Sequence, residues 1–506
     1  MLGRNIFCHY SIDDKSSMQK QEVLVMLEHI DSTGVFNYFE QISRIPRGSG
    51  NNTQISDFLV QFAQKHNLSY FQDEHENVII YKPGSKGYED KPTVILQGHM
   101  DMVCEKSGDS THDFFKESLE LQTEGDYIFA KDTTLGADDG VALAYAMAIL
   151  SDDTLIHPPL EVVITTDEEI GMDGAIGLDT SKLKGSYLIN LDSEEEGVLL
   201  TSCAGGMTVS GKFPFNRVKK EGYPLTFSVY GLKGGHSGTE IDKNRENAVM
   251  LLGRILLELK NADICFYLER IEGGEKDNVI PNKAQMKILV DDKCKTEQVL
   301  QKVQDTLTKE MKTSEPMVTF SLHWEEKKKC FVMEKLFTNQ MIMFLSHVPS
   351  GVQKMSAAIP GLVESSINLG ICKTEHEEII FSFSIRSSLQ SYKEYISKQV
   401  KDLMEYLGGS YQCHSQYPAW EYRVESKLRE WMIEVFKNQY RKEPKVEAIH
   451  AGLECGILSG KKKDLDIISI GPDVFDIHTV HERLSIASTQ RVYQYLLAVL
   501  KKICEQ

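Results

Sequence analysis

Hydrophobic residues in the first third of the chain follow two different spacings. Apolar residues recur every three or four positions between Ile55 and Phe62, which predicts an amphipathic helix that begins near Asn52. Four short apolar runs predict strands, at residues 78–81, 93–96, 160–165 and 187–191. An alanine- and leucine-rich segment at residues 141–150 predicts another helix. Such alternation is typical of an α/β fold with a mainly parallel sheet that helices cover on both faces.

This pattern is interrupted and later resumes. From about residue 208 to 415 the chain carries alternating strands and long amphipathic helices, which predicts an inserted α+β domain. After Pro418 a helix at 427–439, a strand at 465–470 and a closing helix from about Thr489 restore the first pattern. We therefore predict four segments: an N-terminal extension at 1–32, the two halves of one domain at 33–207 and 416–506, and the insert at 208–415.

Composition and charge narrow the class of protein. A chain of 506 residues with 41% hydrophobic residues is long enough for two or three domains. The net charge of −18 argues against nucleic acid or an anionic membrane as a partner, and no apolar run approaches the ~20 residues that span a bilayer. Ten cysteines without a CxxC pair, and an N-terminus without a secretion signal, predict reduced thiols and a cytoplasmic location.

Histidine and acidic residues stand where predicted strands end. His99 and Asp101 follow the strand at 93–96, and residues two apart in extended chain point the same way. A carboxylate beside a metal-binding imidazole fixes its tautomer. Asp138 and Asp139, flanked by glycines, precede the alanine-rich helix; one of them could cap that helix, or a carboxylate could bridge two cations.

Three further candidates repeat this placement. Glu168 and Glu169 follow the strand at 160–165, Asp192 follows the strand at 187–191, and His478 lies past the strand at 465–470. Each acidic group alone is most often a solvated loop. In an α/β sheet, however, the carboxyl ends of the strands line one crevice, where so many carboxylates would repel one another without bound cations.

The donor set suggests which metal this crevice would bind. Histidine together with carboxylate suits Zn²⁺, whereas sites with oxygen ligands alone favour Mg²⁺ or Ca²⁺. Two ions about 3.5–4 Å apart acidify water and polarise a carbonyl group. A further acid would then act as the general base. The residues alone leave open which of Glu168 and Glu169 is the ligand and which is the base.

Several motifs in this order resemble one known family. They are QGHMDMV, TTLGADDG, TDEEIGMDGA, NLDSEEEG, LKGGHSG, NVIP, HAGLECG and ISIGP. They are similar to motifs of the bacterial aminoacyl-histidine dipeptidases, also called cytosol non-specific or β-alanyl-histidine dipeptidases. This family belongs to the di-zinc peptidase superfamily, with the carnosinases, tripeptidases and aminoacylases. The resemblance runs from about residue 35 to the end of the chain.

The resemblance implies two Zn²⁺ per chain, with Mn²⁺ or Co²⁺ as alternatives. The implied ligands are His99, Asp138, Glu169, Asp192 and His478. In that arrangement His99 and Asp192 bind one ion, Glu169 and His478 bind the other, and Asp138 bridges them. Asp101 would hold the imidazole of His99, and Glu168 would be the general base.

The segment DVFDIHTVHERL departs from the turn that the family usually carries at one ligand position. His478 and His481 compete for that position. The His-x-x-x-Glu spacing to Glu482 favours His478.

The resemblance also implies roles for the insert, as a lid and dimerisation domain of a homodimer. On it, His236 would stabilise the oxyanion, in its own site or its partner's, and Arg386 would bind the C-terminal carboxylate of the substrate. Asn278 and Glu454 would contact the substrate. We therefore expect hydrolysis of unblocked dipeptides, including Xaa-His dipeptides such as carnosine. The alternatives are a deacylase of N-acyl amino acids and an inactive metal-binding scaffold.

Overall fold

A computed structural model of the protein describes Leu27, Ile30 and residues 33–506. Apart from Leu27 and Ile30, the predicted N-terminal extension at 1–32 lies outside the described residues. The nine cysteines in the described part of the chain are all free. None of the described helices is long and apolar enough to cross a membrane.

The first segment alternates strands and helices as the hydrophobic pattern predicts. Its strands are β1 (Ser69–Gln72), β2 (Val78–Lys82), β3 (Val94–His99), β4 (Leu121–Glu124), β5 (Tyr127–Ala130), β6 (Leu160–Thr165), β7 (Tyr187–Asn190) and β8 (Val198–Cys203). Its helices are α1 (Val35–Ser43), α2 (Thr53–Lys65), α3 (Ala137–Ser151), α4 (Glu168–Gly171) and α5 (Asp173–Gly177). The four strands and two helices predicted here are confirmed within a few residues, whereas β1, β4, β5 and β8 were not predicted.

The middle segment is richer in strands. They are β9 (Gly205–Pro214), β10 (Arg217–Tyr230), β11 (Gly235–His236), β12 (Phe266–Gly273), β13 (Val279–Ile280), β14 (Ala284–Val290), β15 (Thr319–Trp324), β16 (Lys328–Met333), β17 (Gly351–Met355), β18 (Val363–Glu375), β19 (Glu378–Ser387) and β20 (Gln412–Tyr417). The helices are α6 (Ala248–Asn261), α7 (Lys293–Glu310), α8 (Lys335–His347) and α9 (Gln390–Tyr406).

The last segment returns to the alternation of the first. It contains α10 (Lys427–Tyr440), β21 (Lys445–Ile449), α11 (Glu454–Lys461), β22 (Asp466–Ser469), β23 (Val474–Phe475), β24 (Arg483–Ser485) and α12 (Ile486–Cys504). The predicted helix at 427–439 and strand at 465–470 are confirmed, and the closing helix begins three residues before Thr489.

The first and last segments together build one eight-stranded sheet, in the order β1-β2-β6-β3-β7-β22-β8-β21. The pairs β6–β3, β3–β7, β7–β22 and β8–β21 are parallel, so the carboxyl ends of the four central strands reach the same edge. On β3, Val94 and Leu96 pack into the core with α3, whereas Ile95 faces the core with α11. The predicted α/β fold, with helices on both faces of a mainly parallel sheet, is confirmed.

The middle segment forms a second sheet of ten strands with its own core. Eight strands follow the order β15-β10-β14-β12-β18-β19-β9-β20, while β16 pairs with β10 and β17 with β18. Helices α6 and α8 contribute Leu252 and Phe344 to the core beneath it. The chain enters this sheet at Gly205 and leaves it at Tyr417, so the two connections to the first sheet run side by side.

Two small sheets complete the fold: a pair formed by β11 and β13, and a four-stranded sheet. The four-stranded sheet has the order β23-β24-β5-β4, and the sequence pattern did not predict it. Strand β24 pairs with β5 from the first segment, which brings the loop between β23 and β24 beside the carboxyl ends of the central strands. That loop carries His478.

Candidate metal centre

His99 ends β3 and is almost completely buried, at 1% exposure. Its Nε2 atom lies 3.1 Å from Asp138 Oδ1 and 3.5 Å from Asp192 Oδ1. On the other side of the ring, Asp101 Oδ1 lies 3.3 Å from Nδ1. A carboxylate at Nδ1 holds the proton there and leaves Nε2 free as a ligand atom between two acids.

Asp138 directs one oxygen to each of two histidines. Its Oδ2 atom lies 3.2 Å from His478 Nε2, opposite the oxygen that faces His99. Glu169 Oε1 lies 3.1 Å from the same Nε2 atom of His478. The residues therefore form two groups of three that share Asp138, each with ligand atoms within 4.8 Å of one another. This arrangement fits two divalent cations bridged by one carboxylate.

The structure also shows where two pairs of residues lie whose roles the sequence left open. These pairs are Glu168 with Glu169 and His478 with His481. Glu168 forms a further group with His99 and Glu169, so both glutamates face the centre. His481 lines a separate groove with Tyr127 and Arg483. Of the two histidines in this loop, His478 is the one that faces Asp138 and Glu169.

The electrostatics of this cluster favour bound cations. Burial raises the pKa of Asp192 to about 7, and it raises the pKa of Glu168 well above its usual range. Hydrogen bonds to Asp138 and Glu169 raise the pKa of His478 to about 11. Crowded carboxylates that resist ionisation, beside an imidazole that attracts a proton, indicate a strong negative potential. Two divalent cations would neutralise it.

Asp101 connects the histidine to the glutamates. It is fully buried, and its Oδ1 atom accepts a hydrogen bond from the backbone N–H of Glu168 at 3.1 Å. Its Oδ2 atom accepts one from Ser49 Oγ at 2.7 Å. Burial alone would raise the pKa of Asp101, but these bonds and the one to His99 keep that pKa below its usual value. The carboxylate therefore stays ionised and fixes His99 relative to α4.

Glu482 has a structural role that sequence reasoning missed. Its buried carboxylate accepts hydrogen bonds from four consecutive backbone N–H groups that lead to the bridging aspartate. The distances are 2.7 Å from Leu135, 2.9 Å from Gly136, 2.8 Å from Ala137 and 3.4 Å from Asp138. Glu482 thus joins the His478 loop to the Asp138 loop, and its only signal in the sequence was its spacing from His478.

Arg47 holds the same loop from the other side. Its buried guanidinium donates to the carbonyl groups of Met100 and Asp101, each at 3.0 Å, and to that of Gly136. Nothing in the local sequence distinguishes Arg47 from an ordinary surface arginine.

Two predicted site residues lie together at the short two-stranded sheet of β11 and β13. His236 pairs with Val279, and the carbonyl of Asn278 accepts a hydrogen bond from the N–H of Ser237 at 2.9 Å. The N–H groups of Gly238 and Thr239 donate to His236 Nδ1 at 3.3 and 3.2 Å. Because Nδ1 accepts, neutral His236 carries its proton on Nε2 and can donate from that atom. Among the described residues, no hydrogen bond joins His236 to the metal cluster.

Arg386 and Glu454 differ in their access to the crevice. Arg386 lies on β19 and donates from Nη1 to the Tyr417 hydroxyl at 2.9 Å. Glu454 is fully buried, with one oxygen that accepts hydrogen bonds from Gln97 and Thr165. Burial raises the pKa of Glu454 to about 8. Its other oxygen, Oε1, has no hydrogen-bond partner among the described residues, and the substrate contact of Glu454 stays a prediction.

The fold and this cluster define a class of metal-dependent peptidase. Residues 95–502 match the family described as "Peptidase family M20/M25/M40", and the chain belongs to that family. The family relationship that the motifs indicate is thereby confirmed.

Individual relatives match over nearly the whole chain. The cytosol non-specific dipeptidase of Escherichia coli is 32% identical over 484 residues, which cover 94% of this chain and 99% of that protein. The aminoacylhistidine dipeptidase of Vibrio alginolyticus superposes with a TM-score of 0.88 at 31% identity, and covers 93% of this chain and 96% of that one. A tripeptidase of Staphylococcus aureus shares the fold, with a TM-score of 0.55 at 15% identity.

Proposed function

We propose that the protein is a metal-dependent dipeptidase that hydrolyses unblocked dipeptides, including Xaa-His dipeptides such as carnosine. The observation that carries this proposal is Asp138, whose two carboxylate oxygens face His99 and His478 at 3.1 and 3.2 Å. The names of the Escherichia coli and Vibrio alginolyticus relatives support a dipeptide as the substrate.

The bound ions and Glu168 have separate roles in the proposed reaction. The bound ions, proposed to be two zinc ions per chain, supply polarisation of the peptide carbonyl and acidification of water. Glu168 takes the proton from the attacking water and passes it to the leaving amine. Burial raises the pKa of Glu168 well above its usual range, which suits a group that must hold a proton between these two transfers.

The inserted segment at 208–415 supplies the groups that bind the substrate. His236 donates from Nε2 to the oxygen that becomes negative as water adds to the carbonyl. Arg386 binds the C-terminal carboxylate, for which a planar guanidinium offers paired donors. Asn278, next to His236, is proposed to contact the substrate as well.

The remaining proposals concern assembly and location. We propose a homodimer formed through the inserted domain at 208–415, and a cytoplasmic location that agrees with free cysteines in the described chain. Size-exclusion chromatography with light scattering tests the dimer directly. A monomer at micromolar concentration would contradict it.

Glu168→Gln tests the function and the assignment of the base together. We expect the variant to retain its metal but to cleave alanyl-histidine about 100- to 10,000-fold more slowly. The matched control is Glu297→Gln, at an exposed position on α7 of the inserted segment. Elemental analysis of protein purified without chelators measures the metal content. A variant that keeps the parental rate with bound metal would show that Glu168 is not the base.

The substrate is tested with the parent protein. Carnosine, alanyl-histidine and N-acetyl amino acids are offered side by side. Cleavage of the two dipeptides alone supports the proposal, whereas cleavage of the acetyl compounds alone would identify a deacylase.

A further inference from the structure

Three residues lie in one row across neighbouring strands of the second sheet. Arg386 on β19 pairs with Gly206 on β9, and Gly206 pairs with Tyr417 on β20. Directly paired residues project from the same face of a sheet. The outer strands of such a row are about 9–10 Å apart. Because glycine has no side chain, the long side chains of Arg386 and Tyr417 meet above Gly206, with Nη1 2.9 Å from the hydroxyl oxygen.

The ring of Tyr417 fits a slot made by two glycines. A Cβ atom on Gly206 would lie closer than 3.0 Å to the phenol carbon and oxygen of Tyr417. A Cβ atom on Gly452 would lie 2.7 Å from Cε2 of the same ring. Gly206 lies on β9 and Gly452 lies in the loop between β21 and α11, so the slot between them fixes where the hydroxyl can be.

The backbone of Tyr417 is held as firmly as its ring. Buried Lys393 on α9 donates to the carbonyl of Tyr417 and to that of Gly206, the latter at 3.3 Å. Its ammonium group therefore ties together the two strands by which the chain enters and leaves the second sheet. Tyr417 is consequently fixed at its carbonyl, its ring and its hydroxyl.

The hydroxyl of Tyr417 retains a proton to donate. A guanidinium can only donate, so the phenol oxygen is the acceptor in the bond from Arg386 and its own O–H remains available. Among the described residues no acceptor takes that proton. Burial raises the pKa of Tyr417, and the charges close enough to influence that pKa include those of Arg386 and Glu168. The hydroxyl is therefore neutral where it meets Arg386.

Arg386 also has an N–H group without an acceptor in the described part of the chain. Its Nε atom is buried and has no hydrogen-bond partner among the described residues. The free N–H groups of Arg386 and the free O–H of Tyr417 together suit an acceptor that carries two oxygens and a negative charge. A carboxylate is such an acceptor.

We propose that the hydroxyl of Tyr417 is a second donor to the C-terminal carboxylate of the dipeptide, beside Arg386. This inference rests on the proposed function, because it takes the carboxylate to be bound at Arg386. A hydrogen bond from a neutral donor to a charged group typically changes binding by about 10- to 100-fold. Gly206 is then glycine because any side chain there would separate the two donors.

Tyr417→Phe tests the proposal, since it keeps the ring in its slot and removes only the hydroxyl. We expect kcat/KM for alanyl-histidine to fall about 10- to 100-fold, mainly through KM. For alanyl-histidine amide, which lacks the carboxylate, we expect a change of less than about twofold. Tyr406→Phe is the matched control, because Tyr406 lies on the same domain and is 87% exposed.

The same substitution in an Arg386→Ala background separates direct binding from support of the arginine. If the hydroxyl contacts the carboxylate, Tyr417→Phe still lowers kcat/KM for the free dipeptide in that background. No further loss there would mean that the hydroxyl acts only through Arg386, and would overturn the proposal. Gly206→Ala should displace the phenol. It should therefore also lower kcat/KM for the dipeptide more than for its amide.

The outcomes distinguish this inference from the function on which it rests. If the parent protein cleaves neither substrate when zinc is added, the proposed function is wrong. Suppose that the parent is active and that Arg386→Ala lowers kcat/KM for the dipeptide more than for the amide. A Tyr417→Phe variant with the parental kcat/KM for the dipeptide would then overturn only the inference. Equal losses on both substrates would also overturn it, since they indicate a purely structural role for the hydroxyl.

Discussion

Individual buried charges around the candidate metal centre are balanced by backbone dipoles. Glu482, only 2% exposed, accepts from four N–H groups of the Asp138 loop. Arg47, 1% exposed, donates to the carbonyl of Gly136 in the same loop and to that of Asp101 after β3. A buried charge without such compensation would cost several kcal/mol. The loop that carries Asp138 is therefore held in shape by the chain itself, before any cation binds.

Glu482→Gln should weaken this support without removing the side chain. We expect the free energy of unfolding to fall by about 1–3 kcal/mol, since a charged acceptor of several bonds becomes neutral. Zinc affinity should fall about 10- to 100-fold, as is usual when a group that orients a ligand is changed. Denaturant titration and competition with a zinc chelator measure the two effects. Exposed Glu326→Gln serves as the control, and unchanged zinc affinity in Glu482→Gln would refute the role.

His450 gives the protein a specific sensitivity to acid. Its Nε2 atom lies 2.7 Å from Ser366 Oγ, and burial lowers the pKa of His450 to about 3. The unfolded chain, with a histidine pKa near 6.5, takes up the proton first as the pH falls. Stability contributed by neutral His450 is therefore complete above about pH 6.5 and is lost progressively between about pH 6.5 and 3.

His450→Asn removes this dependence. Between pH 7 and pH 5, the free energy of unfolding of the parent should fall by about 2 kcal/mol more than that of the variant. Any effect of the lost side chain that does not depend on pH cancels in this comparison. Denaturant titration of both proteins at the two pH values measures that difference. The exposed His376→Asn control should show none, and a difference independent of pH in His450→Asn would contradict the assignment.

At the scale of elements, the centre depends on how closely β3 approaches α3. These elements carry His99 and Asp138, and they meet at Gly98. A Cβ atom there would lie 2.5 Å from the Cβ of Ala142 and too close to Asp139. Asp139 is itself engaged, since its Oδ2 atom accepts from the N–H of His99 at 3.2 Å.

Gly98→Ala should push the strand and the helix apart. We expect a loss of about 1–3 kcal/mol in the free energy of unfolding from the added methyl group, together with weaker zinc binding. Gly108→Ala is the matched control, because nothing lies within 4 Å of a Cβ at that position. Calorimetry with and without zinc provides both measurements. Parental zinc affinity in Gly98→Ala would show that the spacing of β3 and α3 does not position the ligands.

At the scale of the whole molecule, bound cations should stabilise the fold. The proposed ligands come from β3, α3, α4, the segment after β7 and the loop before β24, so one centre would join the first and last segments of the chain. Without cations these acids are costly to ionise, because burial raises the pKa of Asp192 to about 7 and the neighbouring carboxylates Asp138 and Glu169 add to that increase.

Removal of metal with a chelator should therefore lower the melting temperature and abolish dipeptide cleavage. Zinc at 100–1,000 times its dissociation constant should restore about 3–4 kcal/mol of stability. Asp138→Asn, which lacks the bridging charge, should gain much less from added zinc. A melting temperature that zinc leaves unchanged in the parent would argue against a built metal site.

The sequence by itself determined the elements and the class of chemistry. The strand at 160–165 and the helix from Lys427 were predictable because the alternation of apolar and polar residues depends only on near neighbours in the chain. Acids and histidines at strand ends also indicated a metal site, since parallel strands end at one edge of a sheet. The individual site residues remain predictions.

The tertiary structure alone decided which distant residues act together. Glu482 bonds to Leu135, 347 positions away, and Arg386 meets Tyr417 only because Gly206 lies between them in the sheet. Neither pair has a signature in local composition. Such contacts depend on strand order and register, which are set by packing of the entire core, so no short stretch of sequence could have revealed them.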